Sequence, residues 1–236
     1  MPLMLSASPW FRYLLLSARW HIGQWRSDPV WRLRAADALL AWHERRGDAG
    51  VQGGRRTLSP HASAHAIGHW QATRAHVLGE MERWDEARAQ LMRLCEQQPN
   101  EPSHAFNLGF VCGQLGDARA AADAFRACIE QAPQHDRAWF GLGQAFQALG
   151  DRQGAEQAWL TQVRLQPLCP DGYVCLVRLF VDRQDVKAAS DWLARLRGFA
   201  PRQALSLEPL LFVPTGHPPT GRDPESSTVL RSGVRP

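Results

Sequence analysis

Lysine is nearly missing from this chain: 26 of its 27 basic residues are arginine, and Lys187 is the exception. Base composition accounts for that bias, so no function is read from it. Long apolar runs are missing too. No stretch reaches the roughly 18 uninterrupted apolar residues of a transmembrane helix, which excludes one. The N-terminus reads poorly as a secretory signal, because no basic segment precedes its apolar run and Arg12 and Arg19 interrupt it. Residues 1–27 have a transit-like composition of three Arg, four Ser and no acid, which the five tryptophans by residue 42 fit badly. The five cysteines form no CxxC pair and leave an odd one. They read as small core hydrophobes in a reducing compartment rather than as a disulfide framework or metal site. GxGxxG, P-loop, HExxH and GxSxG motifs are all lacking. Asp85-Glu86 is a carboxylate pair at a helix start, where it complements the helix dipole. The expectation is a chain that is not an enzyme and takes no cofactor.

Charge is modest and uneven. The net is +4, but residues 1–67 hold nine Arg against four acids, so the remainder sums to −1. Basicity therefore lies ahead of the regular part of the chain, which argues against a nucleic-acid groove in it. An apolar content of 44% allows a packed core.

What is present is a period. Pro99, Pro133, Pro167 and Pro201 recur at one constant step, and Ala87, Ala121, Ala155 and Ala189 share it. The same step joins the large apolar residues Leu91, Phe125, Trp159 and Leu193. The step is about 34 residues, and small, large and proline landmarks fixed at such an offset mark a repeat array. It is phased as 68–101, 102–135, 136–169 and 170–203. Each unit reads as a first helix of about 13 residues, a short turn and a second helix. The turns Gly116-Asp117, Gly150-Asp151 and Gln184-Asp185 place Asp at the N-cap of the second helix. The proline ends that helix.

The array resembles tetratricopeptide repeats. In the 136–169 unit Trp139, Leu142, Gly143, Phe146, Ala155, Trp159 and Pro167 occupy the family's landmark positions. The 102–135 unit keeps Leu108, Gly109, Ala121, Phe125 and Pro133. The 170–203 unit keeps Tyr173, Leu176, Phe180, Ala189, Leu193 and Pro201, with Val177 in place of the glycine. The 68–101 unit is degenerate in its first helix, with Gln71, Arg74 and Ala75 where an aromatic, Leu and Gly are expected. The resemblance implies an all-α fold, a right-handed superhelical α-solenoid of about four helix pairs preceded by N-terminal helices.

Outside the array, Ser8-Pro9, Asp28-Pro29 and Ser59-Pro60 each put an N-cap before a proline at the first helical position, and predict helices over 9–22, 29–46 and 60–79. Residues 1–58 form a Trp-rich basic helical segment ending in a Gly-rich linker over 47–58. Residues 59–213 hold the array and a capping segment, and 214–236 read as a disordered Pro/Gly/Ser-rich tail. The 9–22 helix is apolar over most of its circumference, so something must bury it: the array, a membrane interface or a partner.

The resemblance also implies that first helices line a concave groove through their second, fifth, ninth and twelfth positions. Those positions hold His69, Ala72 and His76; Ser103, Phe106 and Phe110; Arg137, Phe140, Gln144 and Gln147; and Asp171, Val174 and Arg178. Aromatic anchors beside Arg have the composition of an interaction hot spot. The expectation is a cytoplasmic scaffold or adaptor gripping a protein or peptide through His69, His76, Phe106, Phe110, Arg137, Phe140, Gln144 and Arg178. One subfamily holds the C-terminal carboxylates of chaperone tails. Asn107 and Arg137 suit that role, but Ala72, His76 and Gly141 stand where basic or amide residues are needed. One alternative is an assembly factor or chaperone peripheral to a membrane, held by Trp10, Phe11, Arg12, Arg19 and Trp20. Another is a metal-binding protein using His61, His65 and His69, although His61 and His69 are separated by roughly 12 Å of helical rise.

Overall fold

Proline and aspartate set most helix starts. The structure is a computed structural model and describes residues 28–48 and 60–211. Among these it contains ten α-helices and no strand: α1 (Pro29–Asp48), α2 (Pro60–Glu80), α3 (Trp84–Gln97), α4 (Pro102–Gln114), α5 (Ala118–Gln131), α6 (Asp136–Ala148), α7 (Arg152–Leu165), α8 (Pro170–Asp182), α9 (Val186–Arg197) and α10 (Pro201–Leu207). A 3₁₀ turn over Glu208–Leu211 follows. Asp28 accepts from the Val30 and Trp31 amides at the start of α1. Asp117, Asp151 and Asp185 accept from the Ala120, Gly154 and Ala188 amides, as expected of N-caps. The helices expected over 29–46 and 60–79 are α1 and α2. The 9–22 helix, most of the 47–58 linker and the tail from 214 lie outside the described residues.

The turn between paired helices repeats with the period. Glu82, Gly116, Gly150 and Gln184, one repeat step from each to the next, have φ of 58°, 77°, 80° and 61°. The amide after each of them donates back across the helix end, Arg83 to Leu78, Asp117 to Cys112, Asp151 to Phe146 and Asp185 to Phe180, all at 2.9 Å. This closure caps the first helix with a left-handed residue. Glycine takes that conformation freely, and two units use it.

The second helix then folds back on the first, and successive helices stack in chain order as an α-solenoid. The small landmark residues Ala87, Ala121, Ala155 and Ala189 are at most 1% exposed, and Leu91, Phe125, Trp159 and Leu193 at most 5%. The residue facing the large one varies in compensation. Where the large residue is aromatic, the first helix carries glycine. A Cβ on Gly109 would lie 2.8 Å from the Phe125 ring, and one on Gly143 only 2.3 Å from Trp159 Nε1. Where it is leucine, Val177 and Ala75 fill the place, in the same core clusters as Leu193 and Leu91. Ala75 and Val177 in place of glycine in the first and last units are therefore changes in volume matched to Leu91 and Leu193, the kind of swap a close-packed core tolerates.

Units are also tied by a recurring hydrogen bond. Trp139 Nε1 donates to the Pro133 carbonyl and the Tyr173 hydroxyl to the Pro167 carbonyl, each at 2.9 Å. These side chains stand one repeat step apart and anchor each first helix to the proline of the unit before.

Helix α1 joins the stack at its N-terminal end. Leu33 enters the cluster of Ala75, Leu78, Leu91 and Val111. Arg74 Nε bonds Asp37 Oδ1 at 2.6 Å, and Arg32 pairs with Glu80. Solvent-accessible ion pairs contribute about 0–1 kcal/mol each. Burying Leu33 and Leu39, at 8% and 0% exposed, contributes more, about 1.5–3 kcal/mol per side chain. At the other end α10 buries Ala204 and Leu207 in the same cluster as Leu193 and Leu196.

Volume matching at Gly143 gives a direct check. Gly143→Ala is expected to lower the unfolding free energy by about 1–3 kcal/mol through overpacking against Trp159. In a Trp159→Leu background the same change should cost about 1 kcal/mol less or even stabilise. Denaturant unfolding of the four proteins in the cycle measures this, and strictly additive effects would contradict the compensation.

Candidate partner-binding face

Positions one repeat step apart form rows along the face built by the first helices α2, α4, α6 and α8. The row Ala72, Phe106, Phe140 and Val174 is half-buried throughout. It is an apolar floor. Two rows beside it are exposed: His69, Ser103, Arg137 and Asp171, and His76, Phe110, Gln144 and Arg178.

The three phenylalanines differ in what they touch. The Phe106 ring lies 6.0 Å from Phe125 and 4.6 Å from the His135 ring. His135 in turn caps α6 by accepting from the Ala138 amide. Phe106 is thus a packing residue, set against the second helix of its own unit and the residue that caps the next first helix. Phe140 packs against the core cluster of α7 to α10. Phe110 is 49% exposed and meets the edge of Trp84 at 6.2 Å between ring centroids.

Phe110 separates two depressions. One, of about 270 Å³, lies between α2 and α4 and is lined by Ala75, Leu91, Val111, Trp84 and Phe110, with His76, Glu80 and Asn107 at its polar side. The other, of about 180 Å³, lies between α4 and α6, where Gly109, Gly113, Gly141 and Ala145 leave space beside Phe110 and Gln144. Gly79 and Gly113 occupy the same place in successive repeats and line one each. A Cβ on Gly113 would meet nothing within 4 Å. His76, Phe110 and Gln144 thus come together around these depressions. Arg137 and Arg178 are exposed on the same face and line neither of them. Neither makes an ion pair with a described residue.

The two described histidines of the stripe, His69 and His76, have separate partners. His76 Nε2 lies 3.1 Å from Glu80, which Arg32 also holds. His69 meets the edge of Trp70 at 5.3 Å. The side chains of His61 and His65 lie outside the described set, as do Trp10, Phe11, Arg12, Arg19 and Trp20. Among the described residues no three His, Cys, Asp or Glu side chains cluster closely enough for a metal ion. No described helix is long and apolar enough to cross a membrane. All five cysteines are free. Burial pushes Cys175 up to about 12, against the pull of Arg178, and raises Cys95, Cys112 and Cys128 as well. These four are held as thiols, not nucleophilic thiolates. His104 is lowered by burial, opposed by Glu101, and its Nε2 lies 3.1 Å from Gln98 Oε1. Both are structural environments.

A model of the tetratricopeptide repeat family matches residues 113–172. The chain carries tetratricopeptide repeats. Over 54 residues it is 46% identical to a TPR repeat-containing protein of Pseudomonas aeruginosa, a stretch covering 23% of this chain and 51% of that one. The match therefore spans about half the length of that relative. Among solved structures, the MamA 41-end structure from Desulfovibrio magneticus RS-1 superimposes with a TM-score of 0.66 at 16% identity, over 81% of this chain and 97% of that one. A tetratricopeptide repeat protein from Parabacteroides merdae gives a TM-score of 0.65 at 13% identity, over 85% and 73%. At such identities the likeness is one of fold.

Sequence reasoning missed Trp84, Gly79 and Gly113 as features of this face. The recurrence of glycine at the repeat step in two first helices was the available signal. The unequal roles of the phenylalanines give a test in stability. Phe106→Ala is expected to lower the unfolding free energy by about 2 kcal/mol or more, and Phe110→Ala by less than about 1 kcal/mol. Thermal or denaturant unfolding reads the difference. Equal losses would make Phe110 a packing residue too.

Proposed function

We propose that this chain is a non-enzymatic scaffold or adaptor that holds a protein or peptide partner in the groove lined by its first helices. One observation carries the reading. Phe110 stands half exposed between two apolar depressions, at a position its repeat does not need for packing. A large aromatic left partly in water beside preformed hollows is what a binding face presents and what packing alone does not require. Arg137 and Arg178, free of ion pairs among the described residues, supply positive charge for an acidic group on the partner. His69, His76, Phe140 and Gln144 complete the face in this reading, Phe140 as floor and the others as rim. Free thiols, two of them buried and three half-buried, fit a reducing compartment, and the reading takes that to be the cytoplasm.

The charge part is tested on partners recovered with the full chain. Arg137→Glu with Arg178→Glu is expected to weaken a bound partner by about 2 kcal/mol or more, while Arg202→Glu, on the exposed surface of α10, changes binding by less than about 0.5 kcal/mol. Isothermal titration or a quantitative pull-down measures both. Equal effects of the two changes would remove the groove from the account.

A further inference from the structure

We infer that the two depressions flanking Phe110 are sockets for two bulky apolar side chains of a single partner segment, one that is uncharged where it crosses them and acidic toward Arg137. The inference rests on the groove reading above and names the chemistry of its ligand.

Size comes first. At about 270 and 180 Å³, the hollows fall below the roughly 300–1,000 Å³ of sites that enclose a whole small molecule. Each suits one side chain. Their walls agree with that. The first is faced by the Trp84 and Phe110 rings over Ala75 and Val111. The second is hollowed by small residues, Gly109, Gly113, Gly141 and Ala145, with Phe110 again as the shared wall. Neither presents an uncompensated charge. Glu80, the ionised group lining the first, is already held by Arg32 and His76. The polar groups beside the hollows include the amides Asn107, Gln114 and Gln144. Such a rim satisfies a backbone or neutral polar groups. A charged side chain placed there would lose hydration without a partner. Along the first helices, positive charge without an ion pair to a described residue begins on α6, at Arg137, so the acidic part of the ligand belongs on that side.

Spacing then restricts the ligand's backbone. The sockets lie on either side of α4 and share Phe110 as a wall, so the anchors stand about one helix width, roughly 10 Å, apart. A polyproline-II segment returns to one face every three residues, about 9 Å along. An α-helix brings back the same face after about seven residues, roughly 10.5 Å on. Alternate residues of a β-strand, about 6.7 Å apart, are too close.

A displayed library of short linear peptides, panned against the full chain, tests this. Enriched sequences should share two bulky apolar residues spaced about three apart, or about seven if helical, with an acidic residue on one flank. Gly113→Leu fills the second socket from the last turn of α4, where a side chain has open space. It should leave the melting temperature unchanged or raised and weaken the synthesised consensus peptide by at least about tenfold. Phe110→Ala, which removes the shared wall, should weaken the peptide likewise and serves as the second variant. Enrichment of single-anchor or alternately spaced peptides, no enrichment, or full affinity in both variants overturns the sockets. Self-association of the chain that Gly113→Leu abolishes also overturns them, since it makes a second copy the occupant. If binding survives Gly113→Leu and Phe110→Ala but falls with Arg137→Glu and Arg178→Glu, the groove stands and the sockets fall. If none of these changes matters, both fall.

Discussion

One contact is repeated in every unit, and the stack depends on it: a large apolar side chain of the second helix set against a small residue of the first. Phe125 over Gly109 and Trp159 over Gly143 are its tight forms, and Leu193 with Val177 and Leu91 with Ala75 its looser ones. The close approach of paired helices follows from it, because a Cβ at either glycine would collide with a ring. The turn geometry follows too. Chain reversal must occur within a few residues to keep the pair in register, and the left-handed residues from Glu82 to Gln184 achieve that at a constant step. The remaining ties, from Trp139 and Tyr173 to the preceding prolines, then fix one unit on the next.

Because this contact takes up the second helices and the inner faces of the first, the exposed rows of the first helices are released from packing. What stands there is free to differ between units, and it does. The row through position 110 runs His76, Phe110, Gln144, Arg178, whereas the buried row through position 121 is alanine four times over. The first two units carry Gly79 and Gly113, one lining each of the depressions that Phe110 separates. Stability and recognition therefore occupy different rows of the same helices. A repeat fold can change its partner without changing its core by this means.

Much of the fold was legible because it is written in spacing. Prolines, alanines and large apolar residues recurring at one constant step marked out the units, and Asp117, Asp151 and Asp185 marked the turns, each acting as the cap its chemistry suggests. The face was legible in outline only. Position along a helix tells which way a residue points, but not what lies against it. In the sequence Phe106 is as available as Phe110, whereas in the structure His135 and Phe125 lie against its ring. The hollows were invisible for a related reason. They arise from side chains that are not there, at Gly79 and Gly113, and from Trp84 on the following helix, a combination that no single row of the sequence displays.

The central claim is that the first-helix face, and not the back of the second helices, meets the partner. A photo-crosslinking residue placed at position 110 and, separately, in place of the exposed Glu130 on α5 of the full chain tests it most directly in cells. Adducts to another protein from position 110, with none from position 130, are the predicted result. Adducts from 130 alone, or equally from both, would contradict it.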